Sequence, residues 1–216
     1  MRLYNRILDL LYPWRCPFCG KLTDGNLLVC RDCMRKLPYV PPQFQRQSLR
    51  YIDICISPLY YEGRLRESFL RYKFGGASVY AEVYAYFMSK CIDENRINCD
   101  IITWVPVSRQ RLRKRGYDQA ELLAGYVASS LGRECKSTLL KVRNNPAQSG
   151  TAGADVRRAN VKGAYRAADP ELIEGRSLLL IDDIITTGST LTECARVLRM
   201  NGAKSITALT LARNKM

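Results

Sequence analysis

Asp182 and Asp183 follow four apolar residues, Leu178 to Ile181, and after Ile184 and Ile185 come Thr186, Thr187, Gly188, Ser189 and Thr190. The apolar run reads as a buried strand, so the two carboxylates emerge at its carboxyl end, where open α/β sheets place their ligands. Adjacent carboxylates there suit the hydroxyls of a diol or a bound magnesium ion. The hydroxyl-rich turn leads into a helix whose first amides lack intrahelical partners and whose dipole favours an anion. Gly188 allows close backbone approach, and the surrounding hydroxyls add donors, so a monophosphate fits the turn. A polar turn with no ligand would look the same in the threonines alone. The agreement of acids, buried strand and following helix is what makes the signal specific.

A second constellation lies near the amino terminus. Cys16 and Cys19 form one Cys-x-x-Cys pair and Cys30 and Cys33 another. Two such pairs can close a tetrahedral zinc site, and a site with four thiolates is structural. Two disulfides or a redox pair are the alternatives. Nine cysteines without a secretory segment point to a reducing compartment, the cytoplasm, where paired thiols more often hold metal. The other five are read as core residues.

Lysine and arginine outnumber the acids 34 to 20, for a formal charge of +14, which invites a polyanionic partner. The densest cluster is Arg109, Arg111, Arg113, Lys114 and Arg115, with Tyr117 just beyond. Arg111, Arg113, Lys114 and Arg115 could pair with the phosphates of single-stranded DNA while Tyr117 stacks on a base. Equally, arginines here could serve a small phosphorylated ligand or a solvated face. Arg64, Arg66, Arg71 and Lys73 form a second basic group around Tyr72. The chain contains no histidine, which removes the usual near-neutral general base.

The elements that must hold these groups follow from the hydrophobic pattern. With 216 residues, one main domain and a small appendage are expected. Residues 1–45 would hold a short amphipathic docking helix and the cysteine finger, and residues 46–216 the larger domain. The stretches at 54–63 and 64–74 read as a strand and a helix, followed by a second helix through about Ser89. Residues 101–107 read as a buried strand. A helix over Asp118 to Leu131 carries Glu121 at capping-box spacing and stops at Gly132. Thr190 to Asn201 reads as the last helix, with Thr190 and Glu193 as a capping box, and residues 205–213 as a closing strand. This alternation implies an α/β fold, a mostly parallel sheet flanked by helices. No apolar stretch is long enough for membrane insertion.

The strand, acids and threonine-glycine loop resemble the motif that type I phosphoribosyltransferases use for phosphoribosyl pyrophosphate (PRPP). Trp104 to Ala124, the four amino-terminal cysteines, and Gln148 to Tyr165 together look like the ComF family of competence-associated proteins. The resemblance spans essentially the whole chain. It implies that Asp182 and Asp183 contact the ribose hydroxyls, that Thr186 to Thr190 hold the 5-phosphate, and that magnesium accompanies PRPP. It makes Val107, Ser108 and Arg109 the pyrophosphate loop, although many relatives have histidine where Ser108 stands. It makes the glycine-rich stretch 143–163 a mobile lid with Gln148 and Arg157 as contacts. The implied role is handling of single-stranded DNA during natural transformation, alongside a competence helicase or other DNA-processing proteins. A salvage phosphoribosyltransferase and a PRPP-sensing regulator are the alternatives.

Overall fold

The computed structural model describes residues 14–23, 27–143 and 161–215. The expected docking helix and the lid candidates Gln148 and Arg157 lie outside the described residues. The strands are β1 (Arg46–Leu49), β2 (Ile52–Ile56), β3 (Leu59–Tyr60), β4 (Ile101–Trp104), β5 (Glu134–Cys135), β6 (Leu139–Lys141), β7 (Tyr165–Ala167), β8 (Ser177–Ile185) and β9 (Ser205–Arg213). The helices are α1 (Arg31–Lys36), α2 (Gly63–Phe74), α3 (Tyr80–Asn95), α4 (Arg109–Arg115), α5 (Gln119–Leu131) and α6 (Ser189–Met200), with a single turn at Pro42–Gln45.

The main sheet runs β1-β2-β9-β8-β4-β5, with β3 also paired to β9. Its pairings are parallel except β1 with β2. β6 and β7 form a separate antiparallel pair. Alternate side chains of the central strands feed opposite layers, as a period of two requires. Leu178, Leu180, Ile206 and Ala208 pack with Leu191, Cys194 and Leu198 of α6. Leu179, Ile181, Leu209 and Leu211 face Leu123 and Val127 of α5 and Met88 of α3. The chain is thus an α/β fold whose mostly parallel sheet is covered on both faces. Cys16, Phe18, Val29 and Cys33 belong to that second layer's core, with the Phe18 ring 6.1 Å from both Tyr84 and Phe87 of α3.

Several elements differ from the sequence-based expectation. α3 ends at Asn95 rather than near Ser89, because Cys91 and Ile92 continue its buried stripe. β8 does not stop at Asp183: Ile184 and Ile185 pair with Ala212 and Arg213, so the acids sit within the strand. α4 was not expected, since a basic segment with no buried residue has no apolar stripe to read; Ser108 caps it and Gly116 ends it at φ 80°. The capping box at Thr190 and Glu193 does not form. α6 begins at Ser189 behind Gly188, and Glu193 instead accepts from Gly163 N–H at 2.7 Å and pairs with Arg196. Asp118 caps α5 and Gly132 ends it, as expected.

Candidate ligand site and metal centre

β4 and β8 lie side by side, with Trp104 opposite Ile181, so the segments leaving their carboxyl ends meet. Two neighbouring hollows open there. One, about 40 Å³, lies over residues 184–191. The other, about 190 Å³, is larger, and Asp182 and Thr190 line both. Gly188 closes the smaller hollow's turn at φ 70°, a backbone conformation that favours glycine, and a Cβ there would meet the end of the Leu49 side chain, Cδ2, at 2.8 Å, so Leu49 would have to shift. Ser189 N–H meets Thr187 Oγ1 at a long 3.5 Å, and the two hydroxyls are 2.9 Å apart. These groups converge at the amino end of a twelve-residue helix, an arrangement suited to an anion.

Asp182 lines both hollows, and Asp183 lines the larger one. Each carboxylate accepts the next backbone N–H, Asp183 N at 2.8 Å and Ile184 N at 2.6 Å. Burial, and then the adjacent Asp183 carboxylate, push Asp182 well above the usual carboxylate range. Such a group is poised to be ionised by a cation or to share a hydroxyl proton.

The larger hollow has a cationic wall. Lys73 from α2, Arg111 and Arg115 from α4, and Lys141 from β6 line it together with the acids. Lys73 Nζ reaches Asp183 Oδ2 at 3.4 Å. Burial, and then Arg111, hold Lys141 below the usual ammonium range. Arg115 donates to Gln119 Oε1 at 2.8 Å, and the Gln119 Nε2, on a side chain only 1% exposed, has no acceptor among the described residues.

Of the expected pyrophosphate loop, Val107 lines the cavity, whereas Ser108 is buried as the α4 cap and Arg109 is exposed. Of the expected DNA contacts, Arg113 and Lys114 are exposed, while Arg111 and Arg115 turn to the cavity. Tyr117 is half-buried, its hydroxyl donating to Tyr72 O and its ring 5.8 Å from the Tyr72 ring. Lys141, Tyr165 and Gln119 were not singled out from the sequence, because nothing in their spacing marks them. Lys73 was visible only as one cation of a basic group.

The cysteine quartet folds as four thiol ligands should. The Cys16, Cys19, Cys30 and Cys33 sulfurs all lie within 4.8 Å of one another. A zinc tetrahedron with bonds of about 2.3 Å has edges of about 3.8 Å, and Cys19 Sγ to Cys30 Sγ is 3.6 Å, far beyond a disulfide. Cys16 is down to about 7: burial, the largest single effect, pushes it up, but amides at Cys30, Phe18 and Cys19 together outweigh it. Burial raises Cys33. Outside the quartet, Arg64 Nη1 donates to Cys33 Sγ at 3.3 Å and to Asp32 at 3.2 Å, and would offset part of the negative charge that four thiolates would leave around a divalent ion. The donor set fits zinc, and a closed site of this kind is structural. Among the described residues no helix is long and apolar enough to cross a membrane.

Fold and site together define a phosphoribosyltransferase-type α/β unit carrying a zinc ribbon. The family profile of the phosphoribosyl transferase domain matches residues 118–216, and that of the double zinc ribbon domain matches residues 7–46. Along almost its full length the chain is similar to DNA utilization protein YhgH of Salmonella typhi, 30% identical over 204 residues, covering 92% of this chain and 83% of that one. Competence protein ComFC of Bacillus subtilis is 28% identical over 204 residues, covering 92% and 78%. Competence protein F of Haemophilus influenzae is 37% identical over 111 residues, covering 50% and 48%. The chain belongs to the ComF family, the one that includes these competence and DNA utilization proteins.

Proposed function

We propose that this protein binds PRPP together with magnesium and acts in the handling of DNA during its uptake or use, as its relatives' names imply. The observation that carries the PRPP reading is that the two hollows adjoin and share Asp182, Ile184 and Thr190 in their walls. A ligand spanning them presents a monophosphate to the turn at Thr186–Thr190, a diol to the acids and a diphosphate to the cations. Two carboxylates beside a diphosphate subsite suit a hard, oxygen-seeking ion, and magnesium bound there would neutralise charge on the diphosphate. Asp182 and Asp183 would orient the ribose, the α6 amino end would hold the 5-phosphate, and Arg111 and Arg115 would balance the far end.

Titration calorimetry with PRPP and magnesium tests this. Asp182→Asn with Asp183→Asn is expected to abolish binding while far-ultraviolet circular dichroism and zinc content stay unchanged. Unaltered affinity in that variant would overturn the assignment. Release of stoichiometric pyrophosphate with one base from a panel would instead make the protein a working transferase.

A further inference from the structure

Helix α2 touches the metal centre and the ligand cavity at once. Near its start Arg64 donates to Cys33 Sγ at 3.3 Å, and two turns later Arg71 donates to Pro17 O at 2.6 Å, within the turn that joins Cys16 to Cys19. Residues seven apart lie on the same side of a helix. Lys73 lies two residues beyond Arg71, about 200° around the axis, and its ammonium meets Asp183 at 3.4 Å. Leu65, Phe69 and Tyr72 bury the flank between these sides, and the Tyr72 hydroxyl donates to Gln119 O at 2.8 Å. One rigid element is thus fixed to the cysteine quartet on one side and presents a cation to the acids on the other.

We propose that Lys73 is a ligand-binding residue for the diphosphate end of the ligand, held in place by the zinc ribbon through Arg64 and Arg71. This rests on the PRPP reading above. Lys73 lies far outside residues 118–216, which match the phosphoribosyl transferase domain, so the ribbon side of the chain supplies part of the site. Charge gives the reason. Lys73, Arg111, Arg115 and Lys141 face Asp182 and Asp183 in one cavity, so cations exceed carboxylates before any ligand enters. When the acids turn to ribose hydroxyls or magnesium, Asp183 no longer satisfies Lys73, and the nearest group able to do so is a diphosphate oxygen. Arg64 and Arg71 never reach the ligand; they are positioning residues.

The test uses the zinc-loaded full chain and three titrants: PRPP with magnesium, inorganic pyrophosphate with magnesium, and ribose 5-phosphate. Lys73→Ala is expected to weaken the first two by about tenfold and to leave ribose 5-phosphate within about twofold, with Lys73→Arg restoring most of the loss. Arg71→Ala is expected to weaken PRPP several-fold with zinc content unchanged, and adding it to Lys73→Ala should cost nothing more, because it acts through Lys73. Equal weakening of PRPP and ribose 5-phosphate by Lys73→Ala would reduce Lys73 to a prop for the acids and overturn the proposal. So would full additivity of the two substitutions. If the unaltered protein binds pyrophosphate but not PRPP, the PRPP reading falls, while the Lys73→Ala effect on pyrophosphate still decides the role of Lys73.

Discussion

Asp118 ties the loop after β4 to the start of α5: one carboxylate oxygen accepts Val107 N–H at 2.8 Å, and the other accepts Ala120 N–H at 3.0 Å and Glu121 N–H at 3.4 Å. The same residue therefore caps a helix and shapes the cavity wall at Val107. Asp118→Ala removes a cap and orphans a loop amide, which together should cost about 2 kcal/mol in urea denaturation. PRPP affinity should fall while ribose 5-phosphate affinity holds, since Val107 borders only the larger hollow. Asp118→Asn keeps one acceptor oxygen and should recover about half of the stability. A variant with wild-type stability would show that the loop does not need this tether.

The raised pKa of Asp182 sets the sign of a pH dependence. In the free protein the folded-state value lies above the unfolded one, so its contribution to stability is full below the unfolded pKa and is lost as pH rises through the folded pKa. A magnesium-bound ligand needs the ionised form, so binding expels the proton. PRPP affinity should therefore rise with pH up to the free-state pKa of Asp182 and then level off. Calorimetry in buffers of different ionisation enthalpy should show protons released over the same range. Asp182→Asn should remove the proton release; its persistence would place the titrating group elsewhere.

Gly188 is predicted to be irreplaceable in a particular way. Gly188→Ala forces a side chain into the left-handed region, at about 1–2 kcal/mol, and presses its Cβ onto Leu49 Cδ2. Leu49→Ala in the same chain relieves the contact but not the backbone strain. The double variant should melt above Gly188→Ala alone and still bind ribose 5-phosphate more weakly than the wild type. Complete rescue would mean that crowding, not conformation, selects glycine.

The glycine turn at 186–190 before a helix, the paired acids after a buried run and the cysteine quartet were legible as structural patterns because each is local: a few residues on one strand, one turn or one knuckle carry the whole signal. The strand at 205–213 and the α5 caps at Asp118 and Gly132 were legible for the same reason. The cationic wall was legible only through the arginine cluster at 109–115. Lys73 and Lys141 come from elements far apart in the chain that only the tertiary fold brings to the cavity, and a basic residue facing a cavity has the same sequence signature as one facing solvent. Glu193 shows the converse: its spacing from Thr190 suggested a cap, but the glycine before Ser189 starts the helix a residue earlier and frees Glu193 to pair with Arg196.

Zinc should stabilise more than the ribbon. Cys16, Phe18, Val29 and Cys33 sit in the same core as Met88 and Leu123, so stripping the metal exposes part of the main packing layer. Purified protein is expected to carry one equivalent of zinc per chain, lost in Cys16→Ser or Cys30→Ser. Chelation should lower the melting temperature of the whole chain in a single transition. A separate early transition that leaves the main unfolding unchanged would show that the ribbon's packing contributes little.

DNA binding, if it uses this surface, must use the outward half of the basic cluster. Arg113 and Lys114 are exposed, Arg111 and Arg115 border the cavity, and Tyr117 is engaged with Tyr72. The exposed aromatic beside this cluster is Phe74, 69% exposed, with the Arg115 guanidinium over one face of its ring, 5.3 Å from the centre. Arg113→Ala with Lys114→Ala should weaken single-stranded DNA binding and reduce the log–log salt slope by about 1.4, the share of two phosphate contacts. PRPP affinity should stay within about twofold. Phe74→Ala should cost about 1–3 kcal/mol in DNA affinity, and Tyr117→Phe should cost nothing. Fluorescence anisotropy of a labelled oligonucleotide across a salt series measures all three, and an unchanged slope in the Arg113 and Lys114 variant would move the DNA path off this face.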